Sequence, residues 1–424
     1  MALEAYRRDM EGCSRCSSCK WVPMSQMKSH RFSQVCPSIS RYHFHSFAGS
    51  GKLMLGLSLL DNRIEMNDSV ADVAYKCTLC GACDANCKVY RDDIDIAEVI
   101  EEIRATCVEN GQFFAEHQMM IDDLKRENNV FGEPKNARGD WAEGLGLKDA
   151  NAQKVDVLFH AGCRFSYDED LLGVIRGAAT LIRDAGVDLG VAGKAESCCG
   201  GRAFGLGFRG DGKNFAEDMA VRVKSSGAKV LLTPCADCYG AFKYAYRRMG
   251  VDLGVQVMHI SEYLKALAAN GKINFKNRVD RKITYHDPCH LGRRSEPYAG
   301  PWEGNKLLRP ASRKRDGRKG VYDAPRDLLR SIPGIRLVEM ERIREYSWCC
   351  GAGGGVWEAD QELSDFAARE RIEEALTTGA DALATSCPWC ERNLRDAAES
   401  MGAGIEVLDV TELVARSIKG EVIS

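Results

Sequence analysis

The spacing of the cysteines constrains this chain more than any other feature. Of 19 cysteines in 424 residues, all but Cys107 fall into short motifs that occur in pairs. The opening residues, MALEAYRRDM, lack the apolar core of a signal peptide, which predicts a cytoplasmic location. Because disulfides do not persist in a reducing cytosol, we expect the paired cysteines to be metal ligands or redox centres.

Composition argues against several classes of partner. The formal net charge of −3 gives no reason to expect binding to nucleic acid or to an anionic membrane. The sequence contains no run of about 18 apolar residues, so direct insertion into a membrane is not expected. The length of 424 residues is sufficient for two or three domains with their own cores.

The N-terminal zone contains two rows of cysteines with the spacing of bacterial ferredoxin motifs. In such motifs three close thiolates hold three corners of a cubane, and the fourth cysteine reaches the other cluster. The spacer before Cys36-Pro37 is unusually long, from Lys20 to Val35. The predicted [4Fe–4S] groups are Cys13, Cys16, Cys19 with Cys87, and Cys77, Cys80, Cys83 with Cys36. Zinc is the alternative, although two such rows exceed what zinc sites use.

The rest of the chain contains an internal repeat. The segments HAGC, SCCGG, LLTPCADC and VQVMHISEYL, between residues 160 and 264, correspond to HDPC, WCCGA, LATSCPWC and IEVLDVTELV, between residues 286 and 414. The second copy is expected to carry an insertion at about 296–320. Its basic run, Arg313–Lys319, is typical of a solvated loop.

The apolar runs predict an α+β protein. VDVLFH, KVLLTP, KITYH and DALATS indicate parallel strands that alternate with helices, and cysteines follow their carboxyl ends, where such sheets hold ligands. We therefore predict a small, mainly helical ferredoxin-like domain at 1–110 and a pseudo-duplicated α/β pair of cysteine-rich domains at 153–278 and 279–424. Residues 111–152 are expected to connect them, and residues 94–107 to form an amphipathic helix.

Each copy of the repeat contains five cysteines in the same order. The first set is Cys163, Cys198, Cys199, Cys235 and Cys238, and the second is Cys289, Cys349, Cys350, Cys387 and Cys390. Five thiolates are one more than a cubane or a zinc ion takes. The residues alone therefore leave two alternatives: an unusual cluster, or a four-ligand cluster with a spare thiol.

These motifs resemble the CCG domains of heterodisulfide reductases, and their order resembles the fused catalytic subunit of D type in that family. The most specific matches are HDPCHLGR from His286, CCGAGGG from Cys349 and HISEYL from His259. The resemblance implies two cubane and two non-cubane [4Fe–4S] clusters. It also implies a flavoprotein and other redox subunits as partners, and reduction of a disulfide.

Two alternatives to disulfide reduction stay open. Relatives in this family include pure electron relays that feed a hydroxyacid oxidase or an aromatic acyl-CoA (benzoyl-CoA) reductase. The alternative of another class is a zinc-binding structural protein.

Other residues near the cysteines are candidates for supporting roles. His286 and His290 flank Cys289 and are candidate catalytic residues that donate hydrogen bonds to sulfur, deliver protons to a leaving thiolate, or only pack. The unpaired Cys107 is expected to be a buried small apolar residue. Glycines beside the double cysteines are expected to let the backbone approach a cofactor; they are Gly200, Gly201, Gly351 and Gly353.

Overall fold

The computed structural model describes residues 2–90, 94–296 and 315–420. Most of the expected insertion at 296–320, including the start of the basic run at Arg313, lies outside these residues. Within the described ranges, no helix combines the length and the apolar character needed to cross a membrane.

The N-terminal part is helical, as the sequence predicts. Its helices are α1 (Arg7–Glu11), α2 (Pro37–Tyr42), α3 (Gly49–Leu60), α4 (Asp68–Tyr75), α5 (Ala82–Tyr90), α6 (Ile96–Glu109) and α7 (Ala115–Glu127). Helices α3, α4 and α6 pack together, and Leu53, Val70 and Ile103 belong to the core that they share.

Helix α6 covers the amphipathic helix that the sequence predicts at residues 94–107, and it is buried on its polar face as well. Twelve of its 14 residues are buried. On its polar face Glu101 pairs with Arg248 and Arg294, which belong to the cysteine-rich part of the chain. These remote arginines, rather than water, meet the charged face of α6, and buried charges need such partners. Cys107, on the same helix, is buried as predicted.

The first copy of the repeat forms a five-stranded parallel sheet. Its elements are β1 (Lys148–Asp149), β2 (Val157–Phe159), α8 (Cys163–Tyr167), α9 (Leu172–Asp184), β3 (Leu189–Val191), α10 (Gly201–Gly205), α11 (Arg209–Ser226), β4 (Val230–Thr233), α12 (Ala236–Gly240), α13 (Tyr246–Met249), β5 (Gln256–His259) and α14 (Ile260–Ala269). The strand order is β1-β3-β2-β4-β5. Strand β1 lies within residues 111–152, so the segment expected only to connect domains contributes an edge strand.

The second copy repeats this order without the extra edge strand. Its elements are β6 (Arg281–Tyr285), α15 (Asp323–Ser331), β7 (Ile335–Val338), α16 (Val356–Ala359), α17 (Gln361–Leu376), β8 (Ala382–Thr385), α18 (Pro388–Ser400), β9 (Glu406–Asp409) and α19 (Val410–Lys419). The four strands run parallel in the order β7-β6-β8-β9. The four predicted strands correspond to β2, β4, β6 and β8.

The two sheets share one hydrophobic core. Phe159 and Leu232 of the first sheet belong to the same buried cluster as Ile283 and Ala384 of the second. The junctions after β5 and β9 also repeat: each helix begins with a capping box, made by His259 in the first copy and by Asp409 in the second. The two cysteine-rich segments are therefore pseudo-equivalent halves of one α/β unit.

Candidate metal centres

The structure brings the N-terminal cysteines together in the crossed groups that the sequence predicts. Cys83 and Cys87 lie four residues apart on α5, so their side chains leave the helix one turn apart. Burial raises the pKa of Cys87 to about 12, and Asp84, Cys19 and Cys13 add to the rise. Cys87 is therefore a neighbour of the first row of cysteines, although it belongs to the second row in sequence.

Cys36 joins the other group. Burial raises the pKa of its thiol to about 12; Lys52 opposes the rise, and Cys77 and Cys80 are the nearby thiols that add to it. The long spacer folds back on itself: the Val22 amide donates to the Ser33 carbonyl at 2.8 Å. This short ribbon returns Cys36 to the cysteines and explains how a spacer of unusual length is compatible with the motif.

The two five-cysteine sets have the same internal arrangement. In each set neighbouring thiols are in hydrogen-bonding contact, and the adjacent cysteine pair lies in the middle of the series. The series in the first set is Cys163, Cys198, Cys199, Cys238 and Cys235. In the second set it is Cys289, Cys349, Cys350, Cys390 and Cys387. All ten cysteines are buried.

Two further contacts connect the cysteine groups to one another. The thiols of Cys235 and Cys387 meet where the two sets approach. Cys80, from the N-terminal part, packs in one buried cluster with Cys289 and Cys349 and is in hydrogen-bonding contact with Cys349. The sulfurs therefore form a continuous series from the N-terminal group that contains Cys80 through the second set to the first set. The sequence did not predict this order.

Buried arginines accompany the cysteines. The fully buried Arg138 donates to the Cys163 Sγ at 3.5 Å and to the Glu196 carboxylate at 3.1 Å. Arg293 donates to the Cys80 carbonyl at 2.7 Å. Burial lowers the pKa of Arg293, whereas the negative charges of Cys80 and Cys289 raise it. Each arginine places a positive charge where metal-binding thiolates would add negative charge.

Backbone amides also point at sulfur. The amides of Gly200 and Gly351 donate to the Sγ atoms of Cys198 and Cys349, each at 3.4 Å. Both glycines have a positive φ, 72° and 97°, which favours glycine over other residues. A Cβ on Gly162, which sequence reasoning missed, would lie 2.9 Å from the Cys238 Sγ.

The other two glycines singled out in the sequence are less directly placed. A Cβ on Gly201 would lie 3.6 Å from the Cys199 Sγ but only 2.6 Å from Ala241. A Cβ on Gly353 would lie 2.8 Å from the Thr78 carbonyl oxygen. Gly353 thus allows a close approach to the N-terminal part of the chain rather than to a five-cysteine set.

His286 lies against the second set in a fixed tautomer. The Arg371 Nε donates to its Nδ1 at 3.0 Å, so the proton of the neutral ring is on Nε2. Burial, helped by Arg371, lowers the pKa of His286 to about 3. One ring nitrogen and the Sγ atoms of Cys350 and Cys390 all lie within 4.8 Å of one another. Since Nδ1 is taken, the buried and unpartnered Nε2 is the donor left for these sulfurs.

His290 lies at a small cavity beside the first set. Its Nδ1 is 3.0 Å from the Asp237 carboxylate and 3.5 Å from the Cys289 Sγ. The cavity has a volume of about 70 Å³, and its lining includes Cys163, Cys198, Cys199 and Cys238 together with Arg202 and Arg294. Asp237 orients the imidazole, so His290 of the second copy presents its ring to the cavity beside the first set.

The donor set suits iron–sulfur clusters better than zinc. Metal-bound cysteines are thiolates, and ten thiolates in contact inside a protein would repel one another strongly. Iron ions would offset this repulsion, and the glycine amides and Arg138 supply the hydrogen bonds to sulfur that such clusters use. Two sets of five thiolates in contact exceed the four ligands of a zinc ion.

The comparisons with known proteins agree with this assignment. Residues 9–90 match the family model of a 4Fe-4S dicluster domain, and residues 157–243 and 283–395 match that of the cysteine-rich domain. The chain is 30% identical to the D-type subunit of dihydromethanophenazine:CoB–CoM heterodisulfide reductase from Methanosarcina acetivorans, over 97% of this chain and 94% of that protein. The Methanosarcina mazei protein of the same name gives the same figures.

A larger relative shares part of its length with this chain. EtfAB:quinone oxidoreductase of Syntrophomonas wolfei is 28% identical over 82% of this chain and 47% of that protein. Fold, cysteine sets and relatives together define an iron–sulfur oxidoreductase subunit that takes part in electron transfer with redox partners. The chain belongs to the family of D-type heterodisulfide reductase subunits.

Proposed function

We propose that the chain takes electrons from a flavoprotein partner at its N-terminal cysteines and delivers them to a disulfide at the cysteine-rich segments. In this proposal the crossed N-terminal groups hold two cubane [4Fe–4S] clusters, and each five-cysteine set holds a non-cubane [4Fe–4S] cluster. When bound, the clusters supply one-electron transfer. The proposal puts the chain in the cytoplasm, with any membrane contact made through a partner.

The continuous series of sulfurs carries this proposal. Cys80 contacts the second set, and Cys387 of the second set contacts Cys235 of the first. Nothing in a structural zinc protein requires its sites to follow one another in this way, whereas electron transfer does. The series ends at the first set, beside the cavity that His290 and Asp237 line.

The residues at that end suit the chemistry of a disulfide. Reduction breaks one sulfur–sulfur bond and adds two electrons and two protons, giving two thiols. His290 is held by Asp237 at 3.0 Å and is placed to supply a proton to a departing thiolate. At the second set, His286 has its proton fixed on Nε2 by Arg371, and this unpartnered donor is available to a cluster bound there.

The volume of the cavity favours a second candidate function, a relay that feeds a separate catalytic subunit. About 70 Å³ is far below the roughly 300–1,000 Å³ of pockets that enclose whole ligands. A hydroxyacid oxidase, an aromatic acyl-CoA reductase or, as the name of the Syntrophomonas relative suggests, a quinone-reducing unit would then carry the chemistry.

Serine variants of the two sets test the proposal. Cys198→Ser and Cys349→Ser are each expected to remove the EPR signal of one non-cubane cluster, to leave the N-terminal signals and to abolish disulfide reduction. Cys107→Ser is the matched control, because Cys107 is buried and lies outside every motif; it should keep all signals.

The substrate assay separates the two functions. Chemically reduced protein is mixed with the CoB–CoM heterodisulfide named for the Methanosarcina relatives, and with smaller disulfides, and free thiols are counted. Thiol production that requires Cys198 supports reduction at this chain. Intact clusters that are reoxidised by an artificial electron acceptor but by no disulfide would instead establish the relay.

A further inference from the structure

One cysteine of the first N-terminal group lies at the surface. Cys16 is the only exposed cysteine among all 19, each of which lies in the described part of the chain. Its neighbours in the ligand loop, Ser14 and Arg15, are exposed as well. Arg15 and Ser17 adopt left-handed backbone conformations, with φ of 59° and 66°. Cys16 is therefore the solvent-exposed member of the group that Cys87 joins, and Cys87 lies one turn of α5 from Cys83 of the group next to the second set.

Apolar and cationic side chains surround this point. Lys20 and Trp21 follow directly after Cys19, and Trp21 is 38% exposed. The Phe44–His45 corner lies beside them: the Cys19 Sγ is 3.6 Å from the Ser50 Oγ, which is 3.0 Å from the His45 Nε2. Burial and the nearby Lys20 lower the pKa of His45, and Phe44 is 68% exposed. We call Arg15, Cys16, Lys20, Trp21 and Phe44 the Cys16 face.

The sequence around the Cys16 face is exceptional in charge. Residues 12–60 contain six lysines and arginines and no aspartate or glutamate. The rest of the chain has 52 lysines and arginines against 61 carboxylates, so it is acidic. A basic segment in an otherwise acidic protein produces a local positive field that attracts acidic surfaces.

Some of these cations form ion pairs or hydrogen bonds within the protein, and others form no ion pair. Arg31 pairs with Glu370 at 2.7 Å, and Arg41 pairs with Glu362, both on α17. Lys52 is buried and donates to the Phe47 carbonyl. By contrast, across the residues that the structure describes, neither Arg15 nor Lys20 forms an ion pair. Lys28, which donates to the Met340 carbonyl, also lacks a carboxylate partner, so Arg15 and Lys20 are two of the three surface cations of this segment without an ion pair.

We infer that the Cys16 face is the docking surface for the electron-transfer partner, and that this partner presents an acidic surface around its own redox centre. The inference rests on the proposed function and adds to it the place and the charge of the partner. Weak redox encounters bury less than about 1,200 Å², and their association rates depend on charge. The exposed apolar side chains Trp21 and Phe44, together with the cations Arg15 and Lys20 near the exposed cysteine, fit such an encounter.

An anionic membrane is the other surface that basic and aromatic side chains attract. The observations favour a protein, because membrane binding would not require these side chains to surround the only exposed cysteine. A protein partner must bring its redox centre close to that cysteine, and the Cys16 face is the place where this is possible.

Charge reversal on the cluster-loaded chain tests the inference. Reduced flavodoxin, an acidic flavoprotein, is the probe, and Arg15→Glu and Lys20→Glu are compared with Lys272→Glu. Lys272 is exposed and, within the described ranges, also forms no ion pair, but it follows α14 in the first cysteine-rich segment. At low salt each Cys16-face variant should be reduced at least about tenfold more slowly than wild type or Lys272→Glu. Added salt should slow wild type and remove the difference.

Reduction by methyl viologen, a small cation, distinguishes the possible failures. Normal viologen reduction together with unchanged flavodoxin rates in both variants would overturn the docking surface and leave the proposed function intact. Clusters that viologen cannot reduce would contradict the proposed function itself. Binding of wild type to phosphatidylglycerol vesicles that Lys20→Glu abolishes, with flavodoxin rates unchanged, would show a membrane-facing surface and also overturn the inference.

Discussion

Replacing His286 with phenylalanine is expected to lower the reduction potential of the cluster at the second five-cysteine set. The Arg371 Nε donates to Nδ1 at 3.0 Å, which leaves the ring proton on Nε2, and a nitrogen of this ring lies within 4.8 Å of the Cys350 and Cys390 Sγ atoms. A donor near cluster sulfur stabilises the reduced state more than the oxidised state, because the reduced state carries more negative charge. Phenylalanine keeps the ring and removes the donor.

The size of the shift follows from the one hydrogen bond that Nε2 would donate to sulfur of the bound cluster. A hydrogen bond to a charged group contributes about 1.5–3 kcal/mol. We take the difference in the strength of this bond between the reduced and the oxidised cluster as about 1 kcal/mol. For a one-electron couple about 59 mV corresponds to a tenfold change, or about 1.4 kcal/mol, so the potential should fall by about 40 mV.

The assay is a redox titration followed by EPR on protein with full iron content. His160→Phe is the matched control. It removes the equivalent histidine of the first copy, whose Nδ1 is 3.6 Å from the Glu196 carboxylate instead of facing an arginine. His160→Phe should leave the potential of the second set unchanged. An unchanged or raised potential in His286→Phe would refute the reasoning, as would a nitrogen hyperfine coupling typical of imidazole bound directly to iron.

Three further substitutions test the surroundings of the cysteines. Arg138→Met removes the buried partner of Glu196 and Cys163 and should lower the free energy of unfolding by about 3 kcal/mol, which is measured as a lower Tm. Arg278 is exposed, so Arg278→Met should change the free energy of unfolding little. Gly351→Ala places a Cβ 2.4 Å from the Ser364 carbonyl oxygen at a φ of 97°, so it should lower the free energy of unfolding by about 1–3 kcal/mol and release iron from the second set. Gly210→Ala, on α11 with open space around its Cβ, should be neutral or slightly stabilising. Cys107→Ala should retain all iron and lose about 1 kcal/mol of stability, and loss of iron would contradict its structural role.

Local patterns in the sequence predict most of the fold. The repeated motifs predict two α/β halves, and the four apolar runs correspond to the central strands β2, β4, β6 and β8. Strand periodicity and the positions of cysteines after strand ends are short-range signals, so they can be read without knowing the tertiary structure. The capping boxes at His259 and Asp409 also lie within matched segments of the repeat.

Contacts between residues far apart in the chain account for what the sequence did not predict. Glu101 on α6 pairs with Arg248, 147 residues away, so the charged face of this helix is buried. Arg371 reaches His286 across 85 residues, and Arg138 reaches Cys163 across 25. None of these arginines stands in a motif, because their partners are chosen by the tertiary fold. Asp237, the partner of His290, differs from these arginines because it lies inside the CADC motif, where the sequence alone could have indicated it.

The number of iron atoms per chain tests the central claim most directly. Eight N-terminal cysteines in two crossed groups and ten in two equivalent sets predict four clusters. Anaerobically purified protein should therefore contain about sixteen iron and sixteen sulfide per chain, with two cluster types in its Mössbauer spectrum. About eight iron per chain, or zinc at the five-cysteine sets, would contradict the account.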